Sequence, residues 1–223
     1  MGFDRFYSLK DFTGLPGKGM YAADGPFLKR TLEYIGEMDE PYFAYVITMS
    51  SHGDFLTLNY VSNDMIDMEI KVPGDRQTEN YFRVINYVDR SLEGFYEGLV
   101  SQNKPFILVI CGDHTSGIRS REYQSRTDHA ERVPMFIVRK GEGSRGEILT
   151  PASQIDIPPT ILSLIGIPSP SDWQGIDLVT QSRERLYLKN RRISVDAAGE
   201  VKKLASDDRE WEETVFAVEK YIR

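Results

Sequence analysis

The chain alternates between short unbroken apolar runs and longer stretches in which apolar residues recur every three or four positions. The most compact run is Phe106-Ile107-Leu108-Val109-Ile110-Cys111, preceded by Lys104-Pro105 and ended by Gly112-Asp113-His114. A run this short and this rich in β-branched residues predicts a strand buried on both faces, as in the interior of a parallel sheet. Tyr42 through Met49, set off by Pro41, predicts a second buried strand that ends in Ser50-Ser51-His52-Gly53-Asp54-Phe55. Pro134 through Val138 predicts a third.

Helical periodicity appears three times before residue 170. Asp24 reads as an N-cap with Pro26 in the first turn, and Phe27, Leu28, Thr31, Leu32 and Ile35 share one face of a helix ending near Gly36. Phe82, Ile85, Val88, Leu92, Phe95 and Leu99 predict a long helix over 79–101, a length suited to crossing between parallel strands. Gln154 to Gly166 predicts a short buried helix, with Asp156 as cap, Pro158 and Pro159 in the first turn and Gly166 as the stop. Residues 1–25, 56–78 and the polar stretch from Thr115 to Arg132 show no period and read as loops, and 141–146 as a turn. Asp89 and Arg90 read as part of a solvated helix face.

Near residue 181 the pattern changes to apolar residues alternating with basic ones. Leu186-Tyr187-Leu188, Ile193-Ser194-Val195 and Val201, with a turn at 197–199, predict a small antiparallel sheet. Asp207 with Glu210 resembles a capping box for a terminal helix bearing Trp211, Val215, Val218 and Ile222. The fold class is therefore α/β with a mainly parallel sheet over 1–180, followed by a small hairpin and helix subdomain over 181–223.

Composition narrows the chemistry. A net charge of −7 leaves no basic footprint, which argues against nucleic acid as a partner. The one cysteine, Cys111, falls in the predicted core strand, which excludes an intrachain disulfide and predicts an inert, buried thiol. No apolar run approaches the roughly 20 residues that span a bilayer, and the first residues carry no signal-peptide pattern.

The strand ends then become the place to look, because open α/β sheets bind ligands at the carboxyl ends of their strands. That edge would carry His52 and the adjacent Asp113 and His114. A carboxylate beside an imidazole suits a divalent cation. The same two residues also read as a turn-capping Asp and a surface His.

Six segments in order carry a resemblance: Gly2-Phe3-Asp4-Arg5-Phe6-Tyr7, Thr48-Met49-Ser50-Ser51-His52, Asn86-Tyr87-Val88-Asp89-Arg90-Ser91-Leu92, Gly112-Asp113-His114, Val133-Pro134-Met135 and Gln154-Ile155-Asp156-Ile157-Pro158-Pro159-Thr160. Together they resemble the C-terminal half of the lipoteichoic acid synthase family, phosphoglycerol transferases of the sulfatase/alkaline phosphatase superfamily. The resemblance implies a three-layer α/β/α fold, with 1–180 as the C-terminal portion of a sulfatase-like catalytic domain. It implies that Asp113 and His114 ligate a divalent metal ion, manganese or else magnesium, calcium or zinc. It also implies that His52 contacts the phosphate as a catalytic and substrate-binding residue. His129 resembles a substrate-binding histidine of related phosphoethanolamine transferases.

The family has a proline after its first histidine segment, where this chain has Gly53-Asp54-Phe55. The family's threonine nucleophile, a further acidic ligand and an arginine-bearing substrate segment lie upstream of the matched stretch, so the expectation is half a site. Such a chain would lack turnover alone and self-associate when isolated. Its partners would be the N-terminal half of the same enzyme and a phosphate- or sulfate-ester substrate such as a phosphoglycerol lipid. The family places the whole protein at the extracytoplasmic face of the membrane. Two rivals stay open: a natural, non-catalytic binding module with this fold, and a related phosphatase or phosphomutase.

Overall fold

The computed structural model describes residues 2–18, 21–61, 65–66, 71–116, 118, 132–143, 146–188 and 193–204. Its contacts gather the chain into two compact units, residues 1–142 and 143–223.

In the first unit a small ladder pairs β1 (Gly17–Lys18) with β2 (Tyr21–Ala22), and α1 (Asp24–Gly36) follows at once. The N-cap of α1 is Ala23, not Asp24 as the sequence suggested. Asp24 is instead the first helical residue and is fully buried, because its carboxylate is claimed by backbone groups far along the chain. Leu28, Thr31 and Ile35 form the buried stripe that the helical period predicted. The second helix, α2 (Arg76–Ser101), starts earlier than residue 79 because the Asp75 side chain caps it, accepting the Thr78 N–H at 2.9 Å and the Thr78 hydroxyl at 2.7 Å.

The two helices pack on each other through Leu28, Ile35, Phe95 and Leu99. Each such side chain contributes about 1.5–3 kcal/mol on leaving water. Gly98 lets the axes approach, since a Cβ there would lie 2.3 Å from Leu32 Cδ1. Phe106 and Leu108, together with Tyr42, Ala44 and Val46, close the same cluster from the other side.

The apolar runs come out differently from the parallel-sheet expectation. β3 (Ile107–Cys111) pairs antiparallel with β4 (Met135–Arg139), in register from Ile107 opposite Arg139 to Cys111 opposite Met135. Every ladder among the described residues is antiparallel. β3 is half-buried rather than buried on both faces, and Cys111 at its end is exposed. Residues 42–49 run extended beside the helices but join no ladder among the described residues. Tyr42, Ala44 and Val46 face the core, whereas Phe43, Tyr45 and Ile47 are 62%, 70% and 63% exposed. The run is apolar on both faces, and only one face is covered here.

The second unit is organised by one buried carboxylate. A 3-10 turn (Gln154–Asp156) leads into α3 (Ile157–Leu164), a shorter helix than the 154–166 expected. Ser153 and Asp156 form a reciprocal capping box. Asp156, with no exposure at all, accepts the Ser153 N–H and the Ile176 N–H, both at 2.8 Å, and is paired with Arg183. Thr160 extends the tie: its hydroxyl donates to the Asp156 carbonyl and accepts the Leu178 N–H. Gly175 passes so close that a Cβ would overlap the Ile155 carbonyl oxygen. The small sheet of β5 (Arg185–Leu188), β6 (Ile193–Asp196) and β7 (Val201–Lys203) is antiparallel as predicted. The predicted terminal helix lies outside the described residues. Among the described residues no helix is long and apolar enough to cross a membrane.

Candidate active site

β3 ends by delivering Asp113 and His114 to an exposed turn, with side chains 87% and 69% exposed. Gly112 makes the exit tight, its N–H donating to the Pro134 carbonyl at 3.0 Å while a Cβ there would meet Val133 at 3.0 Å. Asp113 Oδ1 accepts the His114 N–H at 2.9 Å, which sets the two side chains next to each other. His114 Nδ1 lies 2.8 Å from the Thr115 carbonyl oxygen. A carbonyl can only accept, so Nδ1 carries the proton in that contact and, in the neutral ring, Nε2 keeps its lone pair. That Nε2 faces Asp113 Oδ2 across 3.6 Å. A carboxylate oxygen and an imidazole nitrogen at that separation can take one divalent cation between them. A carbonyl that fixes the far ring nitrogen is also how metal-binding histidines are commonly oriented. The pair therefore fits a divalent ion in donor type and orientation. Among the described residues no three His, Cys, Asp or Glu side chains gather closely enough to hold one.

Cys111, just before this turn, is not the inert core thiol that the sequence suggested. It is exposed at the strand end, and partial burial together with the nearby Asp113 carboxylate pushes its thiol above the ordinary value.

His52 stands on a turn with defined geometry. Its N–H donates to the Met49 carbonyl at 3.1 Å, and its own carbonyl accepts the Phe55 N–H at 3.3 Å. Asp54 and Phe55 both adopt left-handed backbone, with φ of 68° and 49°. Such a conformation is costly for a bulky residue, and the burial of the Phe55 ring offsets it. The imidazole itself is exposed, with Nδ1 3.3 Å from the Gly53 carbonyl oxygen.

The two site loops share an anchor. Phe55, just after His52, packs in one buried cluster with Val84 of α2 and with Ile118, just after His114. Leu58, Tyr81 and Val88 complete that cluster. His52 and the Asp113–His114 pair thus rise from loops pinned to the same patch of α2. His129 lies outside the described residues.

Asp24 and its neighbours form a polar group that local sequence did not expose. Asp24 Oδ1 accepts the N–H groups of Met49 and Ser50, each at 3.0 Å, and the Ser50 hydroxyl accepts the Asp24 N–H at 2.9 Å. Burial raises the Asp24 carboxyl above its ordinary value, against the pull of these hydrogen bonds. The one hint in the sequence is an acidic residue opening a helix without the usual small polar residue before it.

Residues 1–167 match the Sulfatase family, so the chain belongs to that family. Its relatives include several lipoteichoic acid synthases. The chain is 27% identical over 209 residues to Lipoteichoic acid synthase 2 of Bacillus subtilis (strain 168), covering 85% of this chain and 31% of that protein. It is 26% identical over 198 residues to Lipoteichoic acid synthase of Staphylococcus saprophyticus, covering 81% and 30%. The chain thus spans about a third of the length of these curated relatives. The crystal structure of the lipoteichoic acid synthase LtaP from Listeria monocytogenes superposes with a TM-score of 0.73 at 20% identity, covering 98% of this chain and 64% of that one. An alkaline phosphatase superfamily protein from Vibrio parahaemolyticus gives 0.71 at 21% identity, covering 99% and 60%. These two likenesses establish an alkaline phosphatase-like fold.

Proposed function

We propose that this chain supplies the metal-holding and phosphate-contacting part of a phosphoglycerol transferase of the lipoteichoic acid synthase type. In this reading Asp113 Oδ2 and His114 Nε2 hold a divalent ion, manganese first among the candidates. When bound, that ion supplies Lewis-acid stabilisation of the charge that develops on the transferring phosphoryl oxygens. His52 donates a hydrogen bond to a phosphoryl oxygen or protonates the leaving alkoxide. His129 contacts the same substrate. The nucleophile and a further acidic ligand come from polypeptide outside these residues, since a catalytic metal takes about three protein ligands and two adjacent ones hold it weakly. In the complete domain, residues 42–49 and β3 lie in one mainly parallel sheet, with residues 1–180 belonging to the catalytic domain and 181–223 forming a small subdomain. The complete protein works at the extracytoplasmic face of the membrane on a phosphoglycerol lipid.

The observation that carries this reading is the shared anchor of Phe55 and Ile118, which ties the His52 loop to the Asp113–His114 loop. The test is turnover of a glycerophosphodiester with manganese present. The chain alone is expected to give none. A polypeptide that adds the upstream segments turns over, and Asp113→Ala abolishes that activity. Turnover by the chain alone that is lost in Asp113→Ala would overturn the proposed division of the site.

A further inference from the structure

The turn that presents His52 is held by a buried carboxyl group on another element, α1. Asp24 sits at the first position of α1 with no exposure, and a single oxygen, Oδ1, accepts both the Met49 and Ser50 N–H groups. The exchange is reciprocal, because the Ser50 hydroxyl accepts the Asp24 N–H. The other oxygen, Oδ2, has no hydrogen-bond partner among the described residues, which is an expensive state for a buried carboxylate. One residue further on, the Gly25 N–H donates to the Tyr87 hydroxyl at 2.9 Å, which fixes this end of α1 to the middle of α2. Gly25 has to be small there, since a Cβ would lie 3.0 Å from that hydroxyl and 3.4 Å from Ser91 Oγ. The chain of contacts therefore runs from α2 through Tyr87 and Gly25 to Asp24. From Asp24 it continues to Met49 and Ser50, and the Met49 carbonyl accepts the His52 N–H.

We infer that Asp24 is a positioning residue for His52, its carboxylate fixing the 49–52 turn so that the imidazole is presented in one geometry. A simple cap would leave its oxygens at the open end of its own helix. This one reaches backbone groups 25 and 26 residues away and engages two successive donors, three and two residues before the histidine. Two successive N–H groups accepted by one buried oxygen hold a turn more rigidly than a single bond would. That rigidity is what an aligned phosphate contact demands. The inference rests on the reading of His52 as the phosphate contact. Its test reads only the geometry of the ring, so a His52 that binds no phosphate would sink that reading and leave this one to be decided separately.

The experiment is the imidazole spectrum of the full 15N-labelled chain, whose three histidines are assigned by single substitution, with thermal unfolding recorded alongside. Asp24→Ala is expected to move the His52 ring signals and leave those of His114 in place. Asp24→Asn, whose amide oxygen can still accept both N–H groups, is expected to restore the His52 signals toward the parent. Ser50→Ala removes only the reciprocal hydroxyl and is expected to shift His52 less, in the same sense. If Asp24→Ala fails to fold, Ser50→Ala decides. His52 signals that superpose on the parent in every folded variant would overturn the inference, as would equal movement of all three histidines.

Discussion

Replacing Asp156 with alanine removes the organising group of the second unit, and the structure sets the size of the effect. The carboxylate is wholly buried and is the acceptor for the Ser153 N–H, the Ile176 N–H and the Arg183 guanidinium. Arg183 is itself only 17% exposed, so the substitution leaves a cation with little water and no partner for that bond. Breaking a buried pair from one side costs about 3–5 kcal/mol, against total stabilities of about 5–15 kcal/mol. With a urea slope of about 2 kcal/mol per M, the midpoint should fall by roughly 1.5–2.5 M. Arg183→Met should cost less, because Asp156 then keeps both backbone donors. The double variant should cost less than the sum of the two, since the second change removes an already orphaned group. Urea titration followed by far-ultraviolet circular dichroism measures all three. An Asp156→Ala midpoint within about 0.5 M of the parent, about 1 kcal/mol at that slope, would refute the reasoning.

Two further outcomes follow from the first unit. The Asp75 carboxyl is held below its ordinary value, chiefly by the Thr78 N–H. Its contribution to α2 is therefore present above the unfolded carboxylate value and is lost only as pH falls through the lower folded one, so the Thr78 amide signal should move only well into acid. A Thr78 titration centred on the ordinary aspartate value would contradict this. The exposed row of Phe43, Tyr45 and Ile47, on an extended segment with no ladder partner among the described residues, should make isolated chains pair with a second copy. Light scattering is expected to show dimers or larger species at micromolar concentration, reduced by Tyr45→Lys, and a monodisperse monomer would refute it.

The helices were legible in the sequence because their signal is local. The stripe of Leu28, Thr31 and Ile35 on α1 follows from the 3.6-residue period, and the small antiparallel sheet follows from apolar residues set among basic ones. Strand partners were not legible. An apolar run such as 106–111 encodes burial but not direction, and the long stretch between it and β4 permits either orientation. In 42–49 both faces are apolar, so nothing in the pattern says which face is covered. Asp24 was misread for a related reason: a local rule makes an acidic residue at a helix start a cap, whereas this one is claimed by Met49 and Ser50. The candidate chemistry at Asp113 and His114 was visible as residue types at a strand end. The anchor that ties their loop to His52 depends on Phe55 and Ile118, which carry no chemical signature.

The central claim is that His52 and the Asp113–His114 pair serve one metal-assisted phosphate site. Paramagnetic broadening by manganese tests it most directly, because the effect falls steeply with distance from the ion. Titrating the chain with manganese should broaden the His114 ring signals first and those of His52 with them, at weak affinity. Asp113→Ala should remove both effects without unfolding the protein. Broadening of His114 that leaves His52 sharp, or broadening that survives Asp113→Ala, would contradict the shared site.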